Sequence, residues 1–298
     1  MKKLIAITLA ALLIFSFAAC SNGTTDNSNQ AGAIKIADAK SLADLAGMKI
    51  SAQQGTFHEQ ALTQIKDVKS STYPEFSDLL TALKTGAIDG YIAEEPTAFA
   101  ESLSDNTIAY VPLVNNDTGF TVTEDDVAVS IGLKKGSDLL DKINAVLSEI
   151  TAEQKTALMN QIMDLCSGKQ VDKFVLESEE PANPTGTFKV SMECAYRPYN
   201  WTETSSDART LGAVAISGEG KEGQYANGYD VQIAKYVANK LGLKLEIYSN
   251  EWESLIPAVN SGAVDAIVAG MSPTAERREE IDFTNPYYTS NLVVIYKK

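Results

Sequence analysis

The chain has 298 residues, 39 acidic against 25 basic, and a formal net charge of −14. That acidity argues against a nucleic-acid partner and against broad adhesion to anionic lipid. His58 is the only histidine, so neither a histidine metal cluster nor a histidine-based catalytic triad can be built, and no metal, cofactor or catalytic residue is expected.

Lys2 and Lys3 precede an apolar run over 4–19 that ends at Cys20. The run is short for a membrane span and has small residues before Cys20, so 1–19 reads as a cleaved signal peptide. Phe17-Ala18-Ala19-Cys20 resembles a lipobox, with Phe17 where Leu is usual, which makes Cys20 the expected lipidation site. An ordinary signal peptide followed by a chance cysteine is the plainer alternative. Loss of Lys2 and Lys3 takes the net charge to −16. Residues 20–32 are polar and nearly uncharged, as a lipidated tether would be. Roughly 270 mature residues can hold two modest domains, each with its own core. Cys166 and Cys194 remain. An exported setting permits a bridge between them; two buried thiols is the simpler state.

Taken in chain order, 78–86 reads as a helix stopped by Gly86, followed by a strand ending near Ala93. Helices follow within 138–166. A strand is expected over 188–194. Gly218, Gly220 and Gly223 match a dinucleotide-binding spacing but lack its strand-to-helix setting, and Glu219 and Glu222 would repel a pyrophosphate. A surface hairpin is expected there. Ile233, Val237 and Leu241 form a helical stripe over 229–241, stopped by Gly242. Residues 243–248 alternate as a strand, 253–261 read as a helix with Pro257 in its first turn and Gly262 after its end, and 264–269 form a short apolar strand. Strands spaced by helices imply parallel pairing.

Residues 254–269 align without a gap on 78–93, with Leu, Ala, Gly, Ala, Asp and Ala matching at 255/79, 258/82, 262/86, 263/87, 265/89 and 269/93. The next residue is Gly270 in one copy and Glu94 in the other. Both fall at the carboxyl end of a parallel strand, where open α/β sheets bind ligands. Two such units facing each other would put Gly270 and Glu94 on opposite walls of one cleft.

Residues 196–201 (YRPYNW), 228–230 (GYD), 252–257 (WESLIP), 270–277 (GMSPTAER) and 281–288 (IDFTNPYY) resemble the first lobe of the bacterial amino-acid-binding proteins of ABC importers. Residues 41–50, 54–56, 89–96 and 130–136 resemble that family's second lobe and return crossover. The resemblance implies an α/β, two-lobed periplasmic-binding-protein-like fold, each lobe a mainly parallel sheet flanked by helices. It also implies a permuted chain order: 33–127 as the second lobe, 128–298 as the first, joined by a single covalent crossover near 128–133. Residues 33–36 are expected to pair beside 291–296 and restore the second crossover by hydrogen bonds.

A zwitterionic amino acid needs a cation for its carboxylate and acceptors for its ammonium. Arg277 offers a planar bidentate fork, and the short helix starting after Thr274 presents free N–H groups. By the resemblance, Ser272 binds the carboxylate through backbone and hydroxyl, the Gly270 carbonyl takes the ammonium, and Glu94 stands where the family's ammonium-binding carboxylate is usually Asp. Gln54 and Thr56 should line the same wall. Phe57 replaces a common small hydroxyl residue. Tyr196 and Trp252 hold the positions that sandwich the ligand side chain, and Glu193 the position that meets a polar or cationic tip. Tyr199, Asn200 and Trp201 are read as shaping the rim, and His58 as a helix-surface residue, with a place near the cleft as the alternative. The implied function is capture of an L-amino acid, leaning to polar or basic, by a lipid-anchored monomer outside the cell membrane. It would deliver the ligand to an ABC permease driven by a separate ATPase subunit. A dehydratase using Glu94 as general acid, and a sensor acting through another protein, are the alternatives.

Overall fold

The computed structural model describes residues 35–113, 118–176, 178–205, 207 and 212–298. The signal, tether and Cys20 readings lie outside the described residues. Among the described residues no helix is long and apolar enough to cross a membrane.

The first part of the chain runs β1 (Ile50–Gln53), α1 (Phe57–Leu62), β2 (Thr72–Tyr73), α2 (Phe76–Thr85), β3 (Gly90–Glu94), α3 (Glu95–Ser104) and β4 (Ile108–Val111). Next come α4 (Glu124–Val127), β5 (Ala128–Val129), β6 (Gly132–Lys134), α5 (Leu140–Ser148) and α6 (Ala152–Cys166). They are followed by β7 (Thr187–Met192), β8 (Ala195–Tyr196), β9 (Asn200–Glu203), β10 (Val214–Ser217), β11 (Tyr225–Asn227), α7 (Tyr229–Lys240) and β12 (Lys244–Ser249). The chain closes with α8 (Leu255–Ser261), β13 (Ala266–Ile267), α9 (Ala275–Glu280), β14 (Ile281–Phe283), β15 (Tyr288–Thr289) and β16 (Leu292–Lys297). Gly86 and Gly262 cap α2 and α8 in the left-handed region, at φ 77° and 78°, as their placement in the sequence requires. Gly218, Gly220 and Gly223 lie in the exposed turn of the β10–β11 hairpin. Cys166 and Cys194 are free and buried.

The strands form a five-stranded sheet, β2-β1-β3-β16-β4, and a nine-stranded one, β14-β6-β13-β7-β12-β10-β11-β9-β8. β1 pairs in parallel with β2 and β3, and β7 with β12 and β13. The two sheets share an internal repeat down to single hydrogen bonds. Asp89 accepts from the Lys49 N–H at 2.8 Å and Asp265 from the Lys189 N–H at 2.8 Å. In return the Asp89 N–H donates to the Lys49 carbonyl and the Asp265 N–H to that of Lys189, both at 2.8 Å. Matching bonds therefore fix each helix–Gly–strand unit to its sheet.

One expectation is overturned. β16, assigned to the lobe of 128–298, inserts between β3 and β4, antiparallel to both. Leu292, Val293, Val294 and Ile295 are all fully buried, as a strand covered on both faces must be. The chain thus crosses between the sheets twice, after β4 and again after β14, and the two crossing segments pair antiparallel through β5 and β15. The second crossover is covalent, so nothing is needed from residues 33–36 to restore it. Ile36 instead starts a short 3-10 helix, Ile36–Asp38, and buries its side chain against the sheet near Gly90. With β3 on one side and β4 on the other, β16 has no free edge for it.

Candidate functional site

The motifs converge on a narrow pocket between the sheets. It is lined by Thr56, Glu94, Tyr196, Trp252, Gly270, Ser272 and Arg277, together with Gln53, Phe57, His58 and Phe76. Seven of the nine residues read from the sequence meet there.

Arg277 lies in α9, whose first turn is capped by Thr274 accepting the Arg277 N–H at 3.4 Å. Its guanidinium is buried under the Trp252 ring, 5.1 Å from the centroid. Nη1 donates to the Ser272 carbonyl and Nη2 to the Gly55 carbonyl, both at 2.9 Å. The Gly55 bond joins the two walls. Burial pulls the Arg277 pKa down to about 10, while the charges of Glu276, Glu253 and Glu94 pull it up. It stays a cation at neutral pH.

Glu94 closes β3 and immediately precedes α3, yet its side chain does not cap that helix. It turns into the pocket, where Oε1 lies 3.2 Å from Nε2 of His58. Oε2 has no partner among the described residues. Of the two readings of His58, the structure has the cleft one and not the helix surface: it is 3% exposed and packs against Phe57 and Phe76. No local signal reveals this, because α1 is only six residues long and most of it is covered.

Ser272 and Gly270 lie on the nine-stranded side. The Ser272 hydroxyl donates to the Asp126 carbonyl at 2.8 Å, tying the wall to the first crossover. Gly270 has φ +62°, and a Cβ there would meet the Tyr196 ring at 3.1 Å, so glycine is required on both counts. The Thr56 hydroxyl donates to the Gln53 carbonyl at 2.7 Å. Tyr196 and Trp252 both line the pocket. Tyr196 stacks on Phe76 from the opposite wall, centroids 4.0 Å apart and 12° from parallel, with Tyr199 5.2 Å away.

Two residues fall elsewhere. Gln54 is exposed, and its neighbour Gln53 lines the pocket. Gln53 is the last residue of β1, whereas Gln54 lies in the turn that follows, and its side chain faces solvent. Glu193 sits just behind the lining. Its Oε1 accepts from Gln53 Nε2 at 3.3 Å, across the two walls. Burial lifts its pKa to about 9, helped by the hydrogen bond and charge of Glu75, so the carboxyl is neutral near pH 7.

Asn200 and Tyr199, read as rim, are fully buried supports. Asn200 accepts from the Cys194 N–H at 2.7 Å and donates to Asp230 at 2.8 Å. Asp230 also accepts from Tyr287 at 2.6 Å. Burial raises the Asp230 pKa to about 6, against the hydrogen bonds of Tyr287, Asn200 and the Gly270 backbone. This network sits directly beneath Gly270.

Residues 217–298 match the model of the bacterial extracellular solute-binding proteins, family 3. The arginine-binding extracellular protein ArtP of Bacillus subtilis (strain 168) is 42% identical over 80 residues, 27% of this chain and 31% of that protein. The L-cystine-binding protein TcyA of the same organism is 30% identical over 113 residues, 38% of this chain and 35% of that one. The ABC transporter arginine-binding protein 1 of Escherichia coli (strain K12) is 35% identical over 71 residues, 24% of this chain and 29% of that one. The chain spans about a third of the length of these relatives. They are named as binding proteins, not as enzymes. Over 217–298 this chain is therefore similar to the bacterial extracellular solute-binding proteins of family 3, and the relatives it matches are named for binding arginine or cystine.

Proposed function

We propose that this protein captures one L-amino acid between its two sheets and presents it to an ABC permease driven by a separate ATPase subunit. One observation carries the reading: Arg277 from the nine-stranded side and Glu94 from the five-stranded side line the same pocket. Opposite charges on opposite walls suit a zwitterion, whose carboxylate takes the guanidinium fork and whose ammonium takes the carboxylate. A ligand that bonds both walls favours the closed state by its differential affinity for it.

The ligand we favour is polar or basic. Glu94 lines the pocket with a carboxyl oxygen that has no partner among the described residues, and relatives are named for arginine and for cystine. We read the chain order as permuted, because the segment that matches the family model lies at the end of the chain rather than before the 33–127 unit. We place the protein outside the cell membrane as a monomer, held by a lipid, palmitate among its acyl chains, on Cys20. A thermal-shift screen against the twenty amino acids and cystine tests the function, since a ligand that binds only the folded chain raises its melting temperature. A shift with at least one of them is expected. No shift with any of them would refute the reading.

A further inference from the structure

A second cavity lies directly behind the Phe76–Tyr196 stack. The two rings line both spaces, so they form the partition between the pocket of Arg277 and Glu94 and this crevice. The pocket holds only about 10 Å³ of free space, the crevice about 290 Å³. That is about one water's worth of space in the pocket, so an amino acid enters only when the walls part, and parting the Phe76–Tyr196 stack joins the pocket to the crevice.

The crevice repeats the charge pattern of the pocket. Arg197, in the turn between β8 and β9, lines it from the nine-stranded side, and Glu101, on α3, lines it from the five-stranded side. Thr97, one turn before Glu101 on α3, lines it too; it is 2% exposed and its Oγ1 has no partner among the described residues. The Tyr196 hydroxyl is likewise buried without a partner. Arg197 is held over the Trp201 ring at 4.9 Å and lies 3.8 Å from Glu203, a loose ion pair that leaves donors available. Burial raises the Glu101 pKa, while the charges of Lys84 and Arg197 pull it back. Each space therefore offers one cation and one carboxylate from opposite walls, and two flat rings separate them.

We propose that the crevice is a second binding compartment, built for the far zwitterionic end of a diamino dicarboxylic acid whose near end occupies the pocket of Arg277 and Glu94. The inference rests on the amino-acid-binding reading above and names the ligand class for it. Phe76 and Tyr196 belong to opposite walls, so separating the walls unstacks them. The apolar linker of such a ligand, a disulfide or a short methylene chain, then lies between the two ring faces. Phe76, rather than Trp252, is the second face of the sandwich. A guanidinium side chain would satisfy Glu101 but would meet Arg197 with like charge, which disfavours it in this compartment.

Calorimetric titration of the full chain tests this with three probes: S-methyl-L-cysteine as a single zwitterion, L-cystine, and meso-2,6-diaminopimelate as a non-reducible double one. At least one double zwitterion is expected to bind tenfold or more tightly than S-methyl-L-cysteine, as two added charged hydrogen bonds require. The double variant Glu101→Gln, Arg197→Gln should lose that advantage while keeping its affinity for S-methyl-L-cysteine and its melting temperature without ligand. The inference is overturned if both double zwitterions bind no better than S-methyl-L-cysteine. It is equally overturned if the double variant keeps the advantage. If S-methyl-L-cysteine binds and Arg277→Ala abolishes that binding, the amino-acid reading survives either result. If none of the probes binds and the wider amino-acid screen is blank as well, both readings fall together.

Discussion

Nε2 of His58 lies 3.2 Å from Oε1 of Glu94, with both side chains buried in the pocket that also receives Arg277. The other carboxylate oxygen, Oε2, has no partner among the described residues. Glu94→Gln keeps the size and the contact with His58 but removes the charge that would meet an ammonium. Affinity for the best amino acid should fall about 10- to 100-fold, the scale of one charged hydrogen bond, with the melting temperature nearly unchanged. Calorimetric titration of the variant against the parent checks this, and unchanged affinity would remove Glu94 from the site.

Glu193 makes stability depend on pH. Its folded pKa is about 9 against an ordinary 4.5, raised mainly by burial. Between those values the folded chain keeps a proton that the unfolded chain releases. The stabilisation is full below 4.5 and is lost as pH rises through 9, by at most about 1.4 kcal/mol per pH unit. Asp230 acts with the same sign over a lower window, from 3.8 to about 6. Urea denaturation at pH 7 and pH 9 should show the folded chain weakening, and Glu193→Gln should flatten that decline.

Gly270→Ala places a methyl group at φ +62°, 3.1 Å from the Tyr196 ring. The left-handed backbone alone costs about 1–2 kcal/mol, and Tyr196 must shift. Both a lower melting temperature and weaker amino-acid binding are expected. A variant as stable as the parent would show that the turn is not held in this conformation.

The repeat predicts matched losses. Asp89→Ala and Asp265→Ala each remove a carboxylate that accepts a backbone N–H at 2.8 Å. Each should lower stability by about 1 kcal/mol, and the two effects should add, since the bonds lie in different sheets. Chemical denaturation of the single and double variants measures it.

Much of this is legible in the sequence. Helix-stopping Gly86, Gly242 and Gly262 punctuate the chain through backbone conformation, a local property. The 270–277 stretch carries its chemistry in consecutive residues, so Gly270, Ser272 and Arg277 arrive together. What was not legible depends on distant partners. Leu292–Lys297 reads as a strand in any sheet; only pairing with β3 and β4 decides which one it joins. Gln53 ends β1 and Gln54 starts the turn after it, a boundary invisible until the strand's end is known. His58 owes its burial to Glu94, Phe57 and Phe76. The motifs place Glu193 near the ligand tip, but its shifted carboxyl depends on Gln53 and Glu75, more than a hundred residues away.

The central claim is that Arg277 holds the carboxylate of an amino acid whose ammonium meets the opposite wall. The affinity of Arg277→Ala for the best ligand of the parent chain, measured by calorimetry with the far-ultraviolet circular dichroism spectrum as a check on folding, tests it most directly. The account predicts a folded variant with no measurable binding. A folded variant that binds as tightly as the parent would contradict it.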